Sequence, residues 1–169
     1  MSETSSAVES VEICFSVACL PVAQPRQRHR ITFGKGEAFA QNYTPASSPV
    51  NAFKAQLRLA AQQHFTGPPW EGPIMLGIMF IMPRPKSMMH KKKPMPKLWH
   101  TSKPDLDNLT KAVKDALTGL IWRDDSQVCW SNPQKLVAGG FEQPCVKVRV
   151  CRLYEVPTTP ISNWLSERP

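Results

Sequence analysis

The run Ile74 to Met82 most constrains the fold, because none of its residues carries a charged or hydrogen-bonding side chain. A segment this short cannot cross a membrane as a helix, and a continuous apolar run of this length is typical of a fully buried strand. Its three methionines are interpreted as core filling rather than as a ligand site. The run therefore predicts the central strand of a sheet.

Three other segments have the composition of strands. Residues 11–20 and 145–153 carry apolar side chains at every second position, which is the period of a half-buried strand. Residues 126–130 predict another strand, interrupted at Asn132 and Pro133, with residues 135–138 as its continuation. These segments predict a small sheet around the central strand.

Two segments have the pattern of amphipathic helices. The first begins at Ser48-Pro49, an N-cap followed by proline at the first helical position, and ends before residues 67–69, which are Gly-Pro-Pro. The second runs from Asp105 or Asp107 to Thr118. The predicted fold class is α/β in the mixed, α+β sense: a small mixed sheet with two main helices packed on it.

The chain is basic, with 21 Lys and Arg against 13 Asp and Glu and a net charge of +8. This charge favours a nucleic acid or another acidic surface as the partner. A chain of 169 residues fits one domain, which we expect over residues 11–155. Residues 1–10 are expected to be a disordered N-terminus and residues 156–169 a Pro-rich C-terminal tail.

The N-terminus has no basic segment followed by an apolar one, and no run approaches the length of a membrane span. We therefore expect a cytoplasmic protein. The five cysteines include no Cys-x2-Cys pair, and they are interpreted as small buried apolar residues rather than as a zinc site or disulfides.

Two basic segments stand out. Residues 25–30 hold three arginines, and residues 83–103 hold seven Lys and Arg and no acid. Because four prolines prevent regular structure in the second segment, we expect a flexible arm that closes on a phosphate backbone. Residues 25–30 are expected to form a loop that contacts phosphates. A solvated surface loop is the alternative for each segment.

Acidic residues concentrate where the second helix begins and again just after it ends. Mg²⁺ prefers carboxylate oxygens, and two or three suffice when a phosphate completes its shell. Asp105 and Asp107 lie at the start of the helix, and Asp125, at the start of the following strand, is expected to return beside the helix start if helix and strand pack antiparallel. A metal held there could activate a water and stabilise charge on a scissile phosphate. Lys111, one turn inside the helix, could neutralise developing charge or orient the nucleophile.

The same residues also have an explanation without a metal. Acids stabilise a helix N-terminus, and Asp107 with Lys111 is a favourable i, i+4 pair. Asp115 is expected to pair with Lys111, and Asp124 is expected either to be structural or to support the metal ligands from outside the coordination shell. The residues alone leave both explanations open.

Three motifs follow one another in the chain: D-x-D-N-L-x-K at 105–111, D-A-L at 115–117 and D-D-x-Q-V at 124–128. Together they resemble the motifs of the RusA family of Holliday-junction resolvases, small metal-dependent endonucleases of bacteria and their phages. The long Pro-Lys segment before the first motif departs from the family pattern, as do residues 129–133.

The resemblance implies that Asp105, Asp107 and Asp125 bind Mg²⁺, with Mn²⁺ as a substitute, and that Lys111 is the catalytic lysine. It implies a homodimer that resolves four-way DNA junctions by paired symmetrical nicks in recombination and repair. A two-fold dimer suits a substrate of approximate two-fold symmetry. The implied DNA contacts are Arg26, Arg28, Arg30, Lys91, Lys92, Lys93 and Lys103.

Two rival functions remain at this point. One is a non-catalytic module that binds junctions or other DNA, in which the acids only cap the helix. The other is a related metal nuclease that acts on flaps, forks or RNA. Metal dependence separates the first rival from a resolvase, and a panel of substrates separates the second.

Overall fold

The computed structural model of the chain describes residues 11–25, 28–34, 37–43, 45–90 and 93–154, with the backbone alone over 28–43. The expected disordered N-terminus and Pro-rich tail lie outside these residues. Within them the chain has an α+β fold, as predicted, with one five-stranded mixed sheet, a separate two-stranded ribbon and two α-helices. None of the helices described is long and apolar enough to cross a membrane.

The sheet surrounds the apolar run of the sequence. Its strands are β1 (Glu12–Val17), β4 (Ile74–Met82), β5 (Leu98–Trp99), β6 (Val128–Val137) and β7 (Cys145–Arg152). Their order is β1-β7-β4-β6-β5, so that β4 is central as predicted. β4 pairs parallel with β6 and antiparallel with β7, while β1 and β5 run antiparallel to their neighbours.

Both helices pack on one face of the sheet. α1 (Pro49–His64) has proline at its first position, and α2 (Leu106–Leu117) ends before Gly119, whose φ of 73° suits the turn that follows. Their apolar stripes are buried against alternate residues of β1, β4 and β7. This packing forms the core and fixes the direction of α2 relative to β6, which runs back alongside it.

The opposite face of the sheet is not covered by a helix among the described residues. Met75 and Met79 of β4 are only half-buried there, in contrast to the fully buried helix side of the strand. Gly77 leaves an open hollow of about 630 Å³, which Arg149, Lys147 and Asn132 help to line. The central strand is therefore buried fully on one face only.

The hairpin of β2 (Arg28–Gly34) and β3 (Glu37–Tyr43) was not predicted. Its register pairs Gly34 with Glu37, so that two residues connect the strands. A two-residue connection with glycine between apolar runs is a known hairpin signal, but the arginines led to the prediction of a loop.

The prediction that residues 83–103 form an arm without regular structure is wrong for the part described. This segment contains a short 3-10 helix (Lys86–Met88) and the edge strand β5. Arg84 anchors it, because its guanidinium donates to the backbone oxygens of Ala138 (2.9 Å) and Pro96. Because prolines have no backbone N–H to donate, Arg84 supplies the donors for these carbonyl groups.

β6 is one continuous strand, which corrects the predicted interruption at Asn132 and Pro133. Pro133 pairs with Ile78 of β4 on one side, whereas β5 pairs with β6 only at Leu136 and Val137. Among the described residues, β6 therefore has no neighbouring strand on its second side at Pro133. Because proline lacks a backbone N–H, this unpaired side is where it interrupts no hydrogen bond between strands.

The interpretation of all five cysteines as buried is also wrong. All are free thiols, but only Cys151 is buried, and Cys14 and Cys129 are exposed. Cys19 is half-buried, and burial raises the pKa of its thiol to about 11. This thiol therefore stays protonated at neutral pH.

Candidate active site

Two carboxylates stand at the N-terminus of α2. Asp105 is the N-cap residue and Asp107 lies in the first turn; both side chains are exposed. Neither carboxylate makes a hydrogen bond or ion pair with any residue that the structure describes, and Asp105 does not cap its own helix. Two unneutralised acids on a fixed helix end are suited to hold a cation.

Lys111 follows one turn later on the same helix. Its side chain is exposed, and it has no ion pair or hydrogen bond with any of the residues described. The predicted pair with Asp115 does not form. Instead, Asp115 binds Lys54 of α1 at 2.8 Å, because α1 packs against that side of α2. Lys111 is thus left available at the solvent-facing side of the acidic end.

The turn that leads into α2 is held by β6. Lys135 Nζ donates to the carbonyl oxygens of Ser102 (2.7 Å) and Pro104 (2.6 Å), while the Lys135 carbonyl accepts from the backbone N–H of His100 (3.0 Å). Burial, and after it the neighbouring Lys135 ammonium, lowers the pKa of His100. This imidazole is therefore neutral at neutral pH.

The residue that precedes the first basic segment by one position, Gln24, is bonded to the same helix end. The Gln24 backbone N–H donates to the carbonyl oxygen of Asn108, in the first turn of α2, at 2.9 Å. Two buried polar atoms of the described residues lack a partner, Gln24 Oε1 and His100 Nδ1, and both belong to segments bordering this helix end. Unpaired buried polar atoms are uncommon in folded proteins.

Asp125 lies at the other end of α2, which corrects the expectation that it returns beside the helix start. Its Oδ1 accepts hydrogen bonds from Thr118 Oγ1 and from Trp122 Nε1, the latter at 3.3 Å, and Thr118 is the C-cap of α2. From Asp105 to Thr118 the helix rises about 20 Å at 1.5 Å per residue. One chain therefore cannot place Asp105 and Asp125 on the same cation.

The reason lies in the direction of β6, which runs antiparallel to α2. The start of β6 is next to the end of the helix, and Lys135, late in β6, is next to the helix start. Consistent with this separation, no group of three His, Cys, Asp or Glu side chains in the described part of the chain is arranged to hold a metal ion.

Asp124 is structural, which is one of the two roles expected for it. It begins the 3-10 helix Asp125–Gln127 with a capping box, in which its carboxylate accepts from Ser126 N at 2.9 Å and Gln127 Oε1 accepts from Asp124 N at 2.8 Å. Hydrogen bonds from the side chain and backbone of Ser126 lower the pKa of Asp124. The carboxylate is thus engaged locally.

The structure describes only some of the residues that are predicted to contact phosphates. Lys93 and Lys103 are exposed, and Lys103 lies two residues before Asp105. Arg28 and Arg30 lie in β2, where the backbone alone is described. Arg26, Lys91 and Lys92 lie outside the described residues.

Lys135 and Gln24 were not predicted as residues of this site. In the sequence, Lys135 falls where a lysine on a strand is ordinarily solvent-facing, and Gln24 precedes a basic loop without any motif. Both contact the helix end through residues far away in the sequence, so that no local pattern could have identified them.

An acidic helix end in a chain of net charge +8 is consistent with a protein that acts on nucleic acid. The sequence profile described as Endodeoxyribonuclease RusA matches residues 19–150. The chain therefore belongs to the RusA family of endodeoxyribonucleases, nucleases that act on DNA and resolve Holliday junctions.

Two relatives are similar in sequence to this chain. The chain is 38% identical over 143 residues to the "Uncharacterized protein YqaN" of Bacillus subtilis (strain 168), covering 82% of this chain and 94% of that protein. It is 49% identical over 39 residues to the "Crossover junction endodeoxyribonuclease rusA" of Lactococcus phage r1t, covering 22% of this chain and 30% of that protein.

Proposed function

We propose that this protein is a Mg²⁺-dependent, structure-selective endonuclease that resolves four-way DNA junctions by paired symmetrical nicks in recombination and repair. The observation that carries the proposal is the N-terminus of α2. There, two exposed carboxylates have no partner among the described residues, and Gln24, which precedes the first basic segment, donates its backbone N–H to Asn108 in the same turn.

The donor set at this end fits a divalent cation of the Mg²⁺ type. Asp105 and Asp107 would hold it through carboxylate oxygens, the ligands that Mg²⁺ prefers, with water and a DNA phosphate in the remaining positions. When bound, Mg²⁺ would supply an activated water and stabilisation of charge on the phosphate. Mn²⁺ is expected to substitute, because it accepts the same oxygen ligands.

Lys111 and the basic segments would act on the DNA itself. Lys111 lies one turn from Asp107, where its ammonium would stabilise negative charge that develops on the scissile phosphate. Lys103 and Lys93, together with the other predicted contacts at 26–30 and 91–92, would bind the phosphate backbone without regard to sequence. Positioning of the strands thus comes from positive charge around a small acidic centre.

The position of Asp125 supports a homodimer as the active form. Asp125 belongs to the same motif set as Asp105 and Asp107, yet one chain holds it about 20 Å away along α2. In a two-fold dimer with antiparallel α2 helices, Asp125 of a second copy would meet Asp105 and Asp107 of the first. Each of the two sites would then use both chains.

The experiment that tests the proposal is cleavage of a labelled synthetic four-way junction by wild type and Asp107→Asn, with Mg²⁺ and with a chelator. We expect symmetrical nicks from wild type with Mg²⁺ alone, and more than about a 100-fold loss of cleavage in the variant. Junction binding should remain, because the substitution removes negative charge from a surface that faces DNA.

Asp115→Asn is the matched control, because it changes an aspartate of the same helix that pairs with Lys54 instead. This variant should cleave like wild type. Tight junction binding without nicks under any metal would overturn the proposal and favour a binding module. Preferential cleavage of flaps, forks or RNA would identify a different substrate class.

A further inference from the structure

We propose that Lys135 is a positioning residue that fixes the metal-binding turn in front of α2, an inference that rests on the proposed function. Lys135 lies in β6 and neither belongs to the acidic motif nor follows it directly. Its two ammonium contacts are to carbonyl oxygens of residues 102 and 104, and the second of these belongs to the peptide that links to Asp105.

Lys135 holds the turn at both ends. Its backbone carbonyl accepts from His100 N, where the edge strand β5 ends, and its ammonium then reaches past to Ser102 and Pro104. The segment from 100 to 104 is thereby bonded to a single residue at three points. Since β6 is part of the five-stranded sheet, the turn is tied to the sheet of the molecule.

The side chain reaches the turn because of the strand register. Lys135 pairs with Phe80, whose side chain is fully buried beneath the helices, so that both residues face the helix side of the sheet. A lysine at a half-buried position needs partners for its charge. Two carbonyl oxygens at 2.6 and 2.7 Å provide them, and hydrogen bonds to a charged donor are stronger than neutral ones.

The hydrogen bonds of Lys135 affect the position of Asp105 more than the fold as a whole. The Asp105 carboxylate makes no capping hydrogen bond. The backbone of Asp105 is held on the helix side by Leu109 N, which donates to its carbonyl oxygen (3.2 Å), and on the other side by the chain that precedes it. Residues that orient metal ligands from outside the coordination shell typically affect metal affinity by about 10–100-fold. Lys135 would act in this way on Asp105 through the backbone, without touching the cation or the DNA.

The test uses Lys135→Met, which keeps the length and packing of the side chain and removes its donors. Mn²⁺ binding to the DNA-free protein is measured by electron paramagnetic resonance, and the Mg²⁺ concentration for half-maximal junction cleavage is measured separately. We expect both to shift by about 10–100-fold toward weaker binding, with cleavage restored at high Mg²⁺. Lys135→Arg, which keeps the charge and donors, should remain close to wild type.

Lys54→Met is the matched control, because it removes another half-buried lysine that contacts α2, through Asp115. This variant should bind Mn²⁺ like wild type even if its stability falls. If Lys135→Met does not fold, the same titration is made with Lys135→Gln, which shortens the reach to the carbonyl oxygens and should also weaken Mn²⁺ binding.

The outcomes separate this inference from the proposed function. Unchanged Mn²⁺ binding and Mg²⁺ dependence in the Lys135 variants, with an active wild type, would overturn the positioning role alone. A wild type that binds no Mn²⁺ and makes no nicks would overturn the proposed function and, with it, the role of Lys135.

Discussion

Asp125 differs from the other two motif acids because it already stabilises the folded chain. Its carboxylate accepts from Thr118 and from the indole N–H of Trp122, which is fully buried. Asp105 and Asp107, in contrast, are exposed and without partners among the described residues. The three aspartates of one motif set therefore respond differently to substitution.

We predict that Asp125→Ala lowers the free energy of unfolding by about 1–3 kcal/mol, because it removes the charged acceptor that the Thr118 hydroxyl and the Trp122 N–H share. Asp105→Ala, the control, should change it by less than about 0.5 kcal/mol. Urea unfolding followed by Trp fluorescence measures both. Equal stabilities of the two variants would contradict a structural role for Asp125.

Glu142 gives the protein a pH-dependent contact away from the active site. Its carboxylate binds Lys97 Nζ at 2.9 Å and accepts from Gly139 N at 3.0 Å. The Lys97 ammonium, followed by the Gly139 N–H, holds the pKa of Glu142 below its ordinary value of 4.5. A carboxyl group with a lowered folded pKa contributes stability above its unfolded pKa and loses it as the pH falls through the folded pKa.

We therefore predict that Glu142→Gln is less stable than wild type at neutral pH, and that the difference shrinks as the pH falls below about 4.5. Thermal unfolding of both proteins between pH 3 and pH 7 measures this. A difference that stays constant over this range would show that the charge of Glu142 does not contribute.

At the scale of elements, α1 stabilises the end of α2 from the side. Arg58 Nη1 donates to the carbonyl oxygen of Ala116 at 2.7 Å, close to the C-terminus of α2. Lys54 of the same helix binds Asp115 at 2.8 Å. A cation at a helix C-terminus is favourable for the helix dipole as well as for the unpaired carbonyl groups.

We predict that Arg58→Met lowers the free energy of unfolding by about 1.5–3 kcal/mol, the range for hydrogen bonds to a charged group. Gln62→Ala, at an exposed position of α1, is the control and should have an effect below about 0.5 kcal/mol. Urea unfolding curves of the two variants decide the matter. An Arg58→Met protein as stable as the control would mean that water replaces the arginine at no cost.

Local periodicity accounts for the parts of the fold that could be predicted. β1, β4, β7, α1 and α2 each have an apolar pattern that fits within the element itself. The continuity of β6 and the anchoring of residues 83–103 depend on Ile78 and Ala138, which are distant in the sequence. No local pattern contains such partners.

The predictions about the site divide in the same way, into those that follow from the local sequence and those that depend on distant residues. Asp105 and Asp107 could be located from their motif at a helix start, because that position follows from the local sequence. The location of Asp125 could not, since it depends on whether β6 starts beside the beginning or the end of α2. Lys135 was missed because its function is defined only by the carbonyl groups that it contacts.

At the scale of the whole molecule, the proposed dimer can be tested by mixing two inactive variants, Asp107→Asn and Asp125→Asn. If each site uses both chains, a mixed dimer has one intact site and one site with both substitutions. We predict that the mixture regains nicking of one strand, with up to about half of the dimers mixed at random. Gel analysis of strand-labelled junctions measures this.

Mixing Asp107→Asn with Asp105→Asn is the control, because both substitutions fall on the same half of a shared site and no mixed dimer can have an intact one. Recovery in the control as well would point to a trace of wild type. No recovery in either mixture, with dimers present by sedimentation, would mean that each chain provides its own complete site.

The separation of the two acidic positions by α2 also limits how the chain can change in length. One additional turn in α2 would move Asp125 by about 5.4 Å relative to Asp105, so insertions within residues 106–117 should not be tolerated. The segment between the 3-10 helix Lys86–Met88 and β5 does not set the distance between the two acidic positions. Lengthening a loop costs little free energy. Insertions and deletions that leave the enzyme active should therefore collect before the helix and never inside it.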